Sequence, residues 1–205
     1  MRSAKSPRAY RMRRRAEHVD ETRQRIVEAT VRLHTTIGPA RTSIAGVAEA
    51  AGVTRVTVYR HFPELDALFA ACSGHWTAVN PGPDFAALFA VEDPEARIRG
   101  ALAAHYRWFG RHGGELYPIY RDMATMPRST QASMAAEAAR LAESLVGAIP
   151  GDRVAGAWER SARAVAGHVA SYGTWHSLSV EQGLGDDAAA DIAADMLLGR
   201  VAADV

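Results

Sequence analysis

The sequence predicts an all-α protein, and three of its features do so. Apolar residues recur at three- and four-residue steps over most of the 205 residues. No segment sustains the period-two alternation of a half-buried strand. Ala-rich stretches are separated by Gly and Pro, which favours helices with short breaks between them. About nine helices are expected, in a small N-terminal group followed by a larger C-terminal body, a division that a chain of this length accommodates.

Residues 1–18 carry many like charges without apolar periodicity, so they are expected to be a mobile arm unless something anionic orders them. Helical spacing starts near Asp20 and Glu21, continues through Ile26, Thr30, Leu33 and Ile37, and stops at Gly38-Pro39. Thr42 or Ser43 suits the cap of a short second helix carrying Ile44, Val47, Ala48 and Ala51, which Gly52 ends. Thr54 caps a third helix, bounded by His61-Phe62-Pro63, and a fourth follows from Glu64 with Leu65, Leu68, Phe69 and Cys72 on one face. Past Pro81-Gly82-Pro83, Ile98, Leu102, His105 and Phe109 mark another helix, with a break expected at Gly113-Gly114. Further helices are predicted near 115–126, 128–148, 152–181 and 187–203.

Charge is distributed unevenly behind a formal net value of +1. Residues 1–62 hold 13 Arg or Lys against 5 Asp or Glu, whereas the remainder holds 11 against 18. The first part suits a polyanion and the second does not. A single cysteine, Cys72, excludes an intrachain disulfide and reads as a small buried apolar residue in a reducing compartment. No apolar run approaches the roughly 18 residues of a membrane span, and the basic start is not followed by a signal-peptide core, so a soluble cytoplasmic protein is expected.

The segment from Ile44 to Tyr59 has the logic of a helix-turn-helix. Ala48 and Ala51 permit close helix approach, Gly52 permits the tight turn, and Val53 and Val58 fill the gap between the helices. At 100° per residue, burying Val58 turns Val56 and Arg60 outward with Thr57 and Tyr59 on the flanks, the face that would enter a major groove. The alternative, an αα-corner used only for packing, gives Thr57, Tyr59, Arg60 and His61 no reason to share one surface.

With Thr42-Ser43-Ile44, Val47-Ala48, Ala51-Gly52-Val53-Thr54 and Thr57-Val58-Tyr59-Arg60-His61-Phe62, the chain resembles the TetR/AcrR family of bacterial transcriptional regulators over about residues 22–70. The resemblance implies that Thr42, Ser43, Tyr59 and His61 contact phosphates while Arg55, Val56 and Thr57 face base edges; Thr54 and Arg60 complete the expected DNA-binding set. Hydroxyls and imidazole suit phosphate positioning, Arg55 suits guanine O6 and N7, and Val56 suits a thymine methyl. Val56 and Leu65 stand where the family commonly has a small residue and a phosphate-binding Lys. Arg13, Arg14 and Arg15 suit a minor-groove arm, with a solubilising tail as the alternative.

The resemblance further implies a flexible basic arm over 1–18, a helix-turn-helix DNA-binding domain over 19–64, and a helical effector-binding and dimerisation domain over 65–205. Trp76, Tyr106, Phe109, Tyr117, Tyr120, Met123 and Trp158 are candidate effector contacts, with plain core packing as the alternative. Val165, His168, Tyr172 and Trp175 form a stripe that, with Ile192 and Met196, is a candidate homodimer interface, with ordinary intrachain core as the alternative. His105, His168 and His176 lack nearby ligands at metal-binding spacing, so no metal or cofactor is expected.

The function expected is a ligand-responsive, sequence-specific regulator, a repressor that binds a pseudo-palindromic operator as a homodimer. A protein that coats DNA without sequence choice is the first alternative, which the acidic balance of the C-terminal body disfavours. A small helical enzyme is the second, and the chain carries no Walker loop, dinucleotide fingerprint, nucleophile elbow or metal-protease helix motif.

Overall fold

The computed structural model describes residues 7–149 and 157–199, with side chains described over 16–149 and 159–199. Among these residues every regular element is helical: ten α-helices, two 3-10 turns and one π-helical turn. The described chain forms two compact units. One comprises the residues up to Asn80 with Arg121–Thr130, and the other Pro81–Tyr120 with the residues from Gln131 onward.

The first unit contains α1 (Pro7–Thr36), α2 (Ile44–Ala51), α3 (Arg55–His61) and α4 (Leu65–Val79). Helical backbone begins at Pro7, well ahead of the start expected near Asp20. Proline loses nothing at a first helical position, and Arg, Met, Ala and Glu are good helix formers, so this stretch is helical without an apolar stripe. Ile26, Val27 and Ala29 of α1 pack with Val47, Ala48 and Ala51 of α2, Val58 of α3, and Leu68 and Cys72 of α4. Burial pushes the Cys72 thiol up to about 12, which makes it an inert core residue.

The second unit contains α5 (Phe85–Phe89), α6 from Pro94 to Tyr120, most of α7 (Arg128–Ala148), α8 (Ala157–Val169), α9 (Tyr172–Trp175) and α10 (Asp186–Leu198). The expected break at Gly113-Gly114 is absent: α6 runs unbroken from Pro94 to Arg121. A Cβ on Gly113 would collide with the Trp175 ring, so this glycine serves helix approach rather than termination. The single helix expected over 152–181 is instead divided. Ser171 accepts the Thr174 N–H at 3.2 Å to cap α9, the Thr174 hydroxyl donates to the His168 carbonyl at 2.6 Å, and a π-helical turn follows over His176–Glu181. These short side-chain bonds compete with the helix ladder and start a new helix at Tyr172.

Several buried polar groups of this core are paired, whereas the Nδ1 of His105 and the Ser179 hydroxyl have no hydrogen-bond partner among the described residues. The Tyr106 hydroxyl donates to the Val169 carbonyl at 2.9 Å, Tyr172 to the Gly113 carbonyl at 3.1 Å, and the Trp175 indole to the Asp186 carboxylate at 2.8 Å. The rings of Tyr120 and Tyr172 stack with centroids 4.2 Å apart. Ala189, Ala190, Ala193 and Ala194 give α10 a small-residue face that is fully packed within the unit.

Candidate nucleic-acid interface

Local hydrogen bonds set the geometry of α2 and α3. Ser43 sits in extended conformation and its hydroxyl oxygen accepts the Gly46 N–H at 3.1 Å, capping α2. At the other end Gly52 takes φ +65°, and the Val53 N–H reaches back to the Ala48 carbonyl at 2.9 Å, closing the helix as the left-handed turn requires. No atom lies within 4 Å of a Cβ placed on Gly52, so the backbone conformation alone calls for glycine there. The Arg32 guanidinium donates to the Ala50 carbonyl at 3.3 Å, adding a cation at the C-terminal end of α2.

Thr54 begins α3 in the same way, accepting the Thr57 N–H at 3.1 Å, and its hydroxyl lies 3.0 Å from that of Thr57. Val58 is fully buried and Phe62 nearly so, with the Arg23 guanidinium 4.5 Å above the Phe62 ring. Anchored on that side, α3 exposes the other. Val56 is 74% exposed and Tyr59 54%, with Arg55 and Arg60 also exposed. The result is a short, rigid helix presenting an apolar knob between two arginines and a phenol.

The neighbouring groups differ in readiness to meet an anion. The Ser43 oxygen accepts within the cap and keeps its O–H for an outside acceptor. Thr42 already donates to the Gly38 carbonyl at 2.9 Å, so a new contact requires its hydroxyl to turn. Burial, followed by the charges of Arg60 and Arg23, lowers the His61 imidazole from its ordinary value, which favours a neutral N–H donor. Leu65, 53% exposed, offers no donor at the start of α4. Arg13, Arg14 and Arg15 lie on helical backbone in α1, with side chains outside the described residues.

The effector candidates fall in both units. Trp76 and Met123 belong to the first unit, while Tyr106, Phe109, Tyr117 and Tyr120 lie along α6 in the second. Tyr106 and Phe109 are core residues, Tyr117 is exposed, and the Trp158 side chain lies outside the described residues. A cleft of about 380 Å³ in the second unit is lined instead by Phe85, Phe89, Arg97 and Ser144, among others. Of the dimer candidates, Tyr172 and Trp175 are buried inside the unit, His168 and Ile192 are exposed, and Val165 and Met196 are half-buried. Among the described residues no group of three or more His, Cys, Asp or Glu is placed to hold a metal ion, and no described helix is long and apolar enough to cross a membrane.

Sequence reasoning missed the support behind this surface. The Asp122 carboxylate accepts the Ala40 N–H at 3.0 Å, and the Arg121 guanidinium donates to the Ile37 carbonyl at 2.9 Å, bracing the turn ahead of Thr42. These partners are more than 80 residues apart in the chain, and no periodicity connects them.

Comparison with known proteins follows the same division. Residues 26–72 match the family model described as bacterial regulatory proteins, tetR family. The chain is 49% identical over 51 residues to the HTH-type transcriptional regulator TtgR of Pseudomonas putida, covering 25% of this chain and 24% of that protein. It is 40% identical over 57 residues to the HTH-type transcriptional regulator AcrR of Shigella flexneri, covering 28% and 26%. The match thus spans about a quarter of the length of these relatives. A crystal structure of a TetR-like transcriptional regulator from a Rhodococcus species has a similar fold, with TM-score 0.58 and 20% identity over 89% of this chain and 97% of that one.

Proposed function

The chain belongs to the TetR/AcrR family of bacterial transcriptional regulators, and from that premise we propose that it is a cytoplasmic, homodimeric repressor that binds a pseudo-palindromic operator and releases it on binding a small effector. The observation that carries this reading is the exposed face of α3. A valine held in water on a capped helix, flanked by Arg55 and Arg60, suits a thymine methyl with a guanine within reach. Ser43 and Tyr59 supply hydroxyl donors and His61 a neutral N–H for backbone phosphates, which fix register without carrying sequence information. Two such helices about 34 Å apart would enter successive major grooves.

Dimerisation is assigned to the exposed parts of α8 and α10, using Val165, His168, Ile192 and Met196; Tyr172 and Trp175, spent on internal packing, are left out of that interface. The effector acts by favouring one of two dimer states, with a coupling of about 1 to 3 kcal/mol between the sites. Anisotropy titration of a labelled, selected duplex tests the proposal. Two protomers per duplex and resistance to excess random-sequence DNA are expected. Equal competition by random DNA would favour the coating alternative and overturn this reading.

A further inference from the structure

A cavity of about 400 Å³ lies inside the first unit, behind the Thr42–Ser43 corner, in the size range of small-molecule sites. His34 of α1, Leu65 and Phe69 of α4, and Met126 are among its lining residues, together with Thr42 and Ser43 themselves. His34 is only 7% exposed, and its ring lies 4.8 Å from that of Phe69. No described residue hydrogen-bonds to its imidazole. Burial holds this histidine near a pKa of about 4, so at neutral pH it offers one N–H donor and one lone pair, neither taken by a described residue. Neither ring nitrogen is sealed off inside the protein, so a group that enters the cavity can meet both.

The walls define what that is. Leu65, Phe69 and Met126 favour a flat apolar body, with the thioether suited to an aromatic ring. Asp66, whose carboxylate accepts the Ser129 hydroxyl at 2.6 Å, also lines the cavity and disfavours an anion. Asp66 is exposed, so water screens its pull on a cation, and the neutral imidazole adds no charge for one to pair with. We propose that this cavity is a second small-molecule site, distinct from any in the other unit, for a neutral aromatic alcohol of phenol to naphthol size whose hydroxyl hydrogen-bonds to His34 and whose ring packs against Phe69 and Met126. Because Thr42 and Ser43 form part of the wall, occupancy alters the corner from which α2 starts; that consequence for DNA, unlike the site itself, rests on the function proposed above.

Binding is tested without DNA, so failure of the site and failure of the operator reading are distinguishable. The full chain, with histidine nitrogens isotope-labelled, is titrated with naphthol, naphthalene and naphthoate, following the imidazole resonances by NMR. One-site saturation by naphthol that shifts the His34 nitrogens is expected, with naphthalene and naphthoate weaker by about tenfold or more. His34→Phe keeps the ring contact with Phe69 and should cost naphthol a similar factor, while Leu65→Trp, at an exposed position, should block the cavity without disturbing the core. Equal affinity for naphthol and naphthalene, binding insensitive to both substitutions, or no saturable binding would overturn the proposal.

Discussion

The carboxylate of Asp122 accepts the backbone N–H of Ala40 at 3.0 Å, and the adjacent Arg121 guanidinium pairs with that same carboxylate at 2.7 Å. A residue at the far end of a long helix thereby holds the turn from which Thr42 and Ser43 are presented. Arg121, foremost, and then the Ala40 N–H hold the Asp122 carboxyl below the ordinary carboxylate value. The ion pair is therefore complete above the ordinary carboxylate range and is lost as the pH falls through the depressed value. Asp122→Ala should speed amide exchange at Ala40 and weaken binding to all duplexes alike, leaving exchange in α3 unchanged. Unaltered exchange at Ala40 would remove Asp122 from this role.

Contacts to bases and to phosphates should separate on mutation. Arg55→Ala is expected to relax preference at one base pair and to cost about 1 to 3 kcal/mol on the best duplex. Tyr59→Phe should weaken every duplex by a similar factor. Measured affinities across single-base variants of one duplex check both, and an Arg55→Ala chain with unchanged preference would show that α3 presents a different face.

Two glycines test two different causes. Gly52→Ala meets no neighbouring atom but forces a side chain onto φ +65°, with an expected loss of about 1 to 2 kcal/mol. Gly113→Ala keeps ordinary helical backbone yet collides with Trp175, and overpacking of this kind costs about 1 to 3 kcal/mol. Urea unfolding followed by Trp fluorescence should respond to both, and only Gly113→Ala should change the Trp175 environment in the native state.

Burial holds His34 and His105 each at about 4, below the usual 6.5 of histidine, a shift that the His105 contact with the Ala170 carbonyl only partly offsets. The unfolded chain then takes up protons first, so stability is full above about pH 6.5 and falls as the pH drops toward 4. Each shift corresponds to up to about 3 kcal/mol. His34→Phe should flatten part of this decline in unfolding free energy against pH; an unchanged slope would mean that His34 is not buried as a neutral group.

How much of this is legible in the sequence follows from the range of the forces involved. The caps at Ser43 and Thr54, the turn at Gly52 and the outward Val56 depend on neighbours within four residues, and their signals are local. Gly113 reads as a break because its partner, Trp175, lies on another helix, and a glycine buried for close approach carries the same letter as one that ends a helix. Ser171 and Thr174 divide the helix expected over 152–181 through side-chain bonds that periodicity does not register. Tyr106 and Phe109 point into the core while Tyr117 on the same helix is exposed, a difference that spacing along the chain does not register. His34 gives no sign of its unpaired imidazole, since burial without a partner arises only once α4 and the Met126 segment close over it.

Selection of binding sites from random duplex DNA by the full chain at near-physiological salt tests the central claim most directly. Enrichment of an inverted repeat whose half-site centres lie one helical turn, roughly 34 Å, apart is the predicted result. Retained DNA with no enriched sequence would contradict the assignment of α3 as a base-reading helix.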